Sequence, residues 1–352
     1  MNDGSRKIKA LVIGTDADTI TSDDVISDLK AASVPISFAD CRICPDPCDE
    51  GHDEYPARFD VDMESFMLGS VKPYRQQVVI STGKSDWERE VTDAPGSLAA
   101  HIAEVQSQSK PFTRPDKASM GPVRGLFAAN DNLRVGILNG SHKTLSDDES
   151  IETVLVFPDY KVVTEVPRSL DGAKDLWKNA LDPSRGSTKD STFKSWVLPY
   201  SCVILICSHK KRDNRCSIAS VKLEEAFIRS LHVHEWETHT QLEDLASTVG
   251  PPLESLSMTP EELTTDVLSQ LKALPPQRKA LILKNSHTGG HRYAGNCIIY
   301  TPQGSGVWYG RVTTHEVESI VKNTILGGEV LAPLLRGGLN LSRPGCKSLQ
   351  DW

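Results

Sequence analysis

The chain carries the same order of motifs twice. Pro73-Tyr74 and the apolar run that follows to Ser81 align without a gap on Pro199-Tyr200 and the run to Cys207. ILNGSH, ending at His142, aligns with ILKNSH, ending at His287; VLVFP, ending at Pro158, aligns with IIYTP, ending at Pro302, after a one-residue offset. VVTEVPRSLDGAKDLWKNAL then corresponds to VWYGRVTTHEVESIVKNTIL. The competing explanation is chance, because short strand motifs such as VVI and VLV recur in any α/β protein. A duplication constrains the whole chain, since both halves must then share one fold.

Each half alternates short apolar runs with helical patterns. In the first, KALVIG, VPISFA, RQQVVIST (75–82), residues 134–139 and ETVLVFP (152–158) read as strands. TSDDVISDLK, with its acidic start, and PGSLAAHIAEVQ read as helices. In the second, SCVILIC, LHVHEWE, KALILKN, NCIIYTP and GVWYGRV read as strands. SIASVKLEEAFIRSL, TPEELTTDVLSQLKAL (opened by Thr259 and Pro260) and THEVESIVKNTI read as helices. The alternation predicts an α/β fold of two thioredoxin-like units. Residues 1–182 form the N-terminal unit, 183–196 a linker, 197–331 the C-terminal unit and 332–352 an irregular tail. A length of 352 residues, 38% of them hydrophobic, is enough for two cores.

Four side chains of the second half are candidate ligands. Cys207 ends a very apolar strand, and Cys216 follows the charged loop SHKKRDNR at a helix start. Unpaired N–H groups there, with Lys210, Lys211, Arg212 and Arg215, favour thiolate. In His287-Thr-Gly-Gly-His291, two glycines permit a tight turn that brings both rings to one side. Two cysteines and two histidines then converge at one end of a sheet. Zinc, a 2Fe-2S cluster with mixed ligands, or a metal-free dithiol all fit such a set. Cys-x8-Cys is too wide for a zinc knuckle or a Cys-x-x-Cys redox pair. The matching positions of the first half are Ser81, Glu90, His142 and Ser146, so that half is degenerate. His209, His232, His234 and His239 are competing ligands, whereas Cys202 and Cys297 read as buried apolar residues.

The run HTGGHRYAGNCIIYTPQGSGVWYGRVTTHEVESIV resembles the C-terminal part of thioredoxin-like 2Fe-2S ferredoxins, in which a ligand pair precedes a strand, a VWYGRV-like strand and a helix. With histidines as that pair, and with STGKSDW at 81–87, the chain resembles the sucrase/ferredoxin-like family over roughly 70–90 and 198–325. The resemblance implies a bis-histidinyl 2Fe-2S cluster held by Cys207, Cys216, His287 and His291 in a C-terminal thioredoxin-like ferredoxin unit. It points to an electron carrier rather than an enzyme with its own substrate. Two imidazoles in place of two thiolates make the site less negative, and Rieske-type centres span roughly −150 to +300 mV. One-electron transfer coupled to a histidine proton is therefore expected. It needs a redox donor, for which a flavoprotein reductase is a candidate, and an acceptor the sequence does not name.

Other features set further expectations. Cys41, Cys44, Cys48 and His52 have spacing that could grip zinc or a second cluster. Leu349-Gln350-Asp351-Trp352 resembles the terminal tripeptide by which clients engage the cytosolic iron–sulfur assembly machinery, with Asp351 and Trp352 as the contacts and Gln350 as a departure from the pattern. A net charge of −8 argues against a nucleic-acid partner. No apolar run reaches membrane-spanning length, no secretory or mitochondrial leader is apparent, and the cytoplasm is the expected compartment. The rival functional class is a zinc-stabilised interaction module without redox activity. A thiol–disulfide oxidoreductase is disfavoured by the lack of Cys-x-x-Cys after either first strand.

Overall fold

The computed structural model describes residues 22–39, 55–56, 59–109, 123–132, 134–181 and 192–352. The described chain begins with α1 (Ser22–Ala31) and a two-residue strand, β1 (Ile36–Ser37). The first unit follows as β2 (Gln76–Ser81), α2 (Leu98–Gln108), β3 (Leu126–Phe127), β4 (Val135–Gly140), β5 (Ile151–Phe157), β6 (Lys161–Pro167) and α3 (Leu170–Leu176). After β7 (Lys194–Val197) come β8 (Cys202–Cys207), α4 (Asn214–Val233), β9 (Glu237–His239), α5 (Leu245–Thr248) and α6 (Pro260–Ala273). The second unit ends with β10 (Lys279–Asn285), β11 (Cys297–Tyr300), β12 (Gly306–Tyr309) and α7 (Thr314–Ser319), and β13 (Val330–Leu331) and β14 (Leu335–Leu339) complete the regular structure.

Local chemistry explains the main elements. β8 reads CVILIC and every residue is buried, as befits a central strand covered on both faces. α6 starts with Pro260 in its first turn, and Thr259 and Glu262 cap each other reciprocally at 2.8 and 3.3 Å. Ser97 and Ser169 cap α2 and α3 one-way, each accepting a backbone N–H at 3.1 Å.

The strand order shows the repeat directly. In the second unit it is β10-β8-β11-β12, with β10 and β8 parallel and the other pairs antiparallel. In the first it is β4-β2-β5-β6 with the same directions. Both units therefore have the thioredoxin-like arrangement. They join through β10 and β4, which pair antiparallel at Asn285 and Gly140, so one 12-stranded sheet runs through the molecule. β9 occupies the other end of the same β10 edge, from Lys279 to Leu281.

That sheet folds over on itself. β5 and β11 are five strand steps apart, about 24 Å in a flat sheet. Yet the rings of Phe157 on β5 and Tyr300 on β11 stack with centroids 4.1 Å apart. The inner faces enclose a common core that includes Val79, Leu155, Leu205, Leu283 and Ile298. A buried hydrogen-bond chain crosses it: Trp308 Nε1 donates to the Tyr74 hydroxyl (2.9 Å), which meets the Tyr300 hydroxyl (2.6 Å), which donates to Gln77 (2.7 Å). α2 and α3 cover the first unit's outer face, and α4 and α7 cover the second's.

Several segments sit elsewhere than their local sequence suggests. Residues 22–39 fall in the first half but pack on the second: β1 pairs with β13, and Val25 and Leu29 join the core beneath α4. β3 likewise pairs with β14. The last residues of the expected linker form β7, which extends the first unit's sheet beside β6. In the tail, expected to be irregular, β14 pairs with β12 and all five of its residues are buried. LHVHEWE reads as a strand, but Leu231 to Val233 continue α4, Trp236 turns inward, and the strand forms at β9. KALVIG lies outside the described residues.

Candidate metal centre

Topology brings the candidate ligand residues to one end of the sheet. Cys207 is the last residue of β8, its N–H bonded to Asn296 O at 3.1 Å. Cys216 lies in the first turn of α4, whose cap Asp213 accepts the Arg215 N–H. His287 sits two residues past β10, and His291 begins a short turn after Gly289 and Gly290, whose φ angles of 82° and 68° fall where side chains are strained. Ligand atoms of Cys207, Cys216 and His287 lie within 4.8 Å of one another. Cys207 Sγ is 3.9 Å from His287 Nδ1. The His291 ring is outside that tight set, but its centroid is 5.5 Å from that of His287, and it faces solvent.

The two thiols are not equivalent. A hydrogen bond from Cys216, helped by His287, holds Cys207 well below the usual thiol range against the opposing effect of burial. Cys216 is pushed up by Cys207 and by burial. A metal group bound there would require both thiols to be deprotonated. The sequence favours thiolate at both positions through the basic loop. In the structure three of those four charges are engaged: Lys211 bonds Glu88 at 2.8 Å, Arg212 pairs with Glu90, and Arg215 pairs with Asp213 at 2.8 Å. Burial lowers His291, and Asp213 opposes that shift.

The first half braces this site from two sides. The Ser208 hydroxyl donates to Ser85 O at 2.8 Å, and the Lys211 N–H donates to Asp86 at 3.0 Å. His209, fully buried, donates from Nε2 to Trp87 O (2.9 Å) and accepts the His287 N–H on Nδ1 (3.2 Å). Both nitrogens are used, which removes His209 as a ligand and makes it the link between the 82–90 loop and the ligand loop. On the other side, Asp62 N–H donates to Arg292 O (2.9 Å) and Tyr293 donates to Phe66 O (2.9 Å). His232, His234 and His239 bond Thr238, Glu318 and Glu237 instead.

Sequence reasoning missed Arg336. It lies on β14 with no exposure, and burial lowers it to about 10 while Cys207, Tyr293 and Cys216 oppose the shift. The available signal was a lone arginine inside the apolar, glycine-rich run LLRGGL.

At the matching positions of the first unit, the Ser81 hydroxyl donates to Glu152 at 2.6 Å, and Glu152 pairs with Arg168 at 2.8 Å. His142 is fully buried, among the described residues neither ring nitrogen has a side-chain partner, and burial pushes it down to about 4 against the opposing effect of the Thr153 backbone. Burial pushes the thiols of Cys202 and Cys297 up, that of Cys297 to about 12. Glu237, His239 and Glu243 also cluster, with Lys279 paired to both carboxylates at 3.6 and 2.9 Å. Cys41, Cys44, Cys48 and His52 lie outside the described residues. At the far end Leu349 is buried, Asp351 accepts the Lys347 and Ser348 N–H groups, and Trp352 is 46% exposed.

Residues 67–337 match the family model described as sucrase/ferredoxin-like. The chain belongs to the sucrase/ferredoxin-like family. The matched region begins beyond Cys41–His52 and ends at residue 337, within β14, so it includes Arg336. The chain is 47% identical to altered inheritance of mitochondria protein 32 of Debaryomyces hansenii, over 81% of this chain and 89% of that one. It is 32% identical to the protein of the same name in Clavispora lusitaniae over 38% of this chain, and covers only 34% of that relative. Its likeness to the Meyerozyma guilliermondii protein, 26% identical, covers only 35% of that relative. It is 23% identical to actin patches distal protein 1 of Saccharomyces cerevisiae, over 82% of this chain and 81% of that one. No solved structure matches the chain.

For this family member the donor set fits a metal group with sulfur and nitrogen ligands: two cysteine sulfurs on the buried side and imidazoles toward the surface. Among the described residues, the buried Thr288 hydroxyl of this loop and the Arg336 Nη2 packed against it have no hydrogen-bond partner, so donors remain for sulfur acceptors.

Proposed function

We propose that the chain is a one-electron carrier that holds a 2Fe-2S cluster on Cys207, Cys216, His287 and His291. The observation that carries this reading is the convergence of Cys207, Cys216 and His287 within 4.8 Å, with the His291 ring beside them. When bound there, the cluster accepts and gives up one electron. The chain's residues do the rest. Cys207 and Cys216 supply anionic sulfur from the interior, and His287 and His291 supply neutral nitrogen, which makes the site less negative than four thiolates. His291, at the surface, can release or take up a proton on its non-ligating ring nitrogen as the charge of the site changes. His209 and the 82–90 loop hold the ligand loop in place.

Among the described residues no helix is long and apolar enough to cross a membrane. The proposal places the protein in the cytosol, where a flavoprotein reductase is a suitable donor. An anaerobic preparation tests the reading: iron, acid-labile sulfide and, on reduction, a Rieske-like EPR signal are expected. The compact 4.8 Å set would also suit one tetrahedral zinc ion, and a colourless protein with stoichiometric zinc would establish that alternative.

A further inference from the structure

Arg336 is a buried cation without a carboxylate. Its guanidinium is inaccessible to solvent, and its hydrogen bonds go to neutral acceptors: Nε to Ser70 Oγ (3.1 Å), Nη1 to Gly289 O (3.1 Å) and to Asn296 Oδ1 (2.7 Å). Among the described residues no Asp or Glu oxygen lies within 4 Å of it. Nη2 has no partner. The Tyr293 and Trp308 rings lie 5.8 and 6.0 Å from its Cζ, a contact that helps a cation without neutralising it. An isolated charge is costly to bury, so a compensating anion is required.

The surroundings identify where that anion belongs. Nη1 donates to the Gly289 carbonyl in the loop that joins His287 to His291. A Cβ built on Gly290 would lie 2.3 Å from Nη2, so the guanidinium packs directly against the turn between the two ligand histidines and only glycine fits there. Asn296 completes the arrangement, donating to Gly290 O at 3.0 Å while accepting from Arg336.

We propose that Arg336 is a positioning residue that fixes the Gly289-Gly290 turn and supplies the fixed positive charge, with a free Nη2 N–H, that favours the reduced state of the group bound by Cys207, Cys216, His287 and His291. The inference rests on the cluster reading above. Reduction adds one negative charge, which a nearby buried cation stabilises more strongly than a solvated one would, and hydrogen bonds to cluster sulfur act in the same direction.

The test uses the full chain, purified without oxygen, as wild type, R336K, R336M and S70D. S70D sets a carboxylate beside Nε and cancels the charge without altering the ligand loop, so it decides the matter if R336M does not fold. Iron and sulfide content, circular dichroism and an optical redox titration are measured. At the wild-type midpoint, the reduced-to-oxidised ratio is expected to fall at least tenfold in R336M and S70D, which is 59 mV for one electron. R336K should stay within threefold. Cluster-loaded R336M and S70D with the wild-type ratio would overturn the role of Arg336 alone. A wild-type chain without iron and sulfide would overturn the cluster reading beneath it.

Discussion

Ser141 and Ser286 occupy the same place in the two halves, and each hydroxyl accepts a backbone N–H from the opposite strand. Ser286 Oγ accepts from Asn139 N, and Ser141 Oγ accepts from Lys284 N, both at 3.0 Å. Reciprocal backbone bonds at 2.9 Å, Ser141 N to Lys284 O and Ser286 N to Asn139 O, flank them. The junction therefore has approximate two-fold symmetry, one residue before His142 and one before His287.

Replacing Ser286 by alanine leaves the Asn139 N–H buried without an acceptor, at a cost of about 1–3 kcal/mol. Urea unfolding of S286A and S141A should show a loss of that size in S286A and a loss in the double variant that is not the sum of the two, because the sites share one junction. Additive losses would show that the two bonds are energetically independent.

His142 makes stability depend on pH. Its folded pKa of about 4 lies below the ordinary value of 6.5, so between these values the unfolded chain binds a proton that the folded chain refuses. The contribution is complete above about pH 6.5 and is lost as pH falls, the loss reaching roughly 3 kcal/mol by pH 4. The stability difference between pH 7 and pH 4 should shrink by about that amount in H142L. An unchanged difference would remove His142 as the cause.

On the proposed ligand set, a cysteine at position 291 replaces a neutral ligand by an anionic one. H291C should keep iron and sulfide while its midpoint potential falls by on the order of 100 mV. In the wild type the potential should decline with rising pH, by up to about 59 mV per unit for one proton per electron. A profile flat from about pH 6 to 10 would reject the coupling.

Charge reversal in the 82–90 loop should loosen the site without unfolding the protein. E88K combined with E90K sets like charges against Lys211 and Arg212, which hold those carboxylates now. Loss of metal to a chelator should quicken several-fold while the urea midpoint barely moves, since exposed ion pairs contribute little to global stability. Equal rates would mean that the clasp does not restrain the ligand loop.

The repeat and the ligand loop were readable because both depend on local chemistry. Pro-Tyr followed by a β-branched run specifies a buried strand in either half, and His-x-x-x-His around two glycines specifies a turn. The remainder depended on distant partners. LLRGGL gives no strand period, and β14 forms because β12 has an open edge and Arg336 a pocket beside Tyr293 and Trp308. SDDVISDLKA announces a helix, but nothing within it says that Val25 and Leu29 will pack on the second unit rather than the first. The His209 link is equally silent, because its partners, Trp87 and His287, are 122 and 78 residues away.

The pairing of β4 with β10 covers hydrogen-bonding groups that a solitary unit would leave available to any passing strand, a well-known route to aggregation. A two-fold dimer could protect them too, but only above its dissociation constant. Because both halves belong to one polypeptide, this shielding does not depend on dilution, and the half that bears Cys207, Cys216, His287 and His291 keeps that edge covered at any concentration.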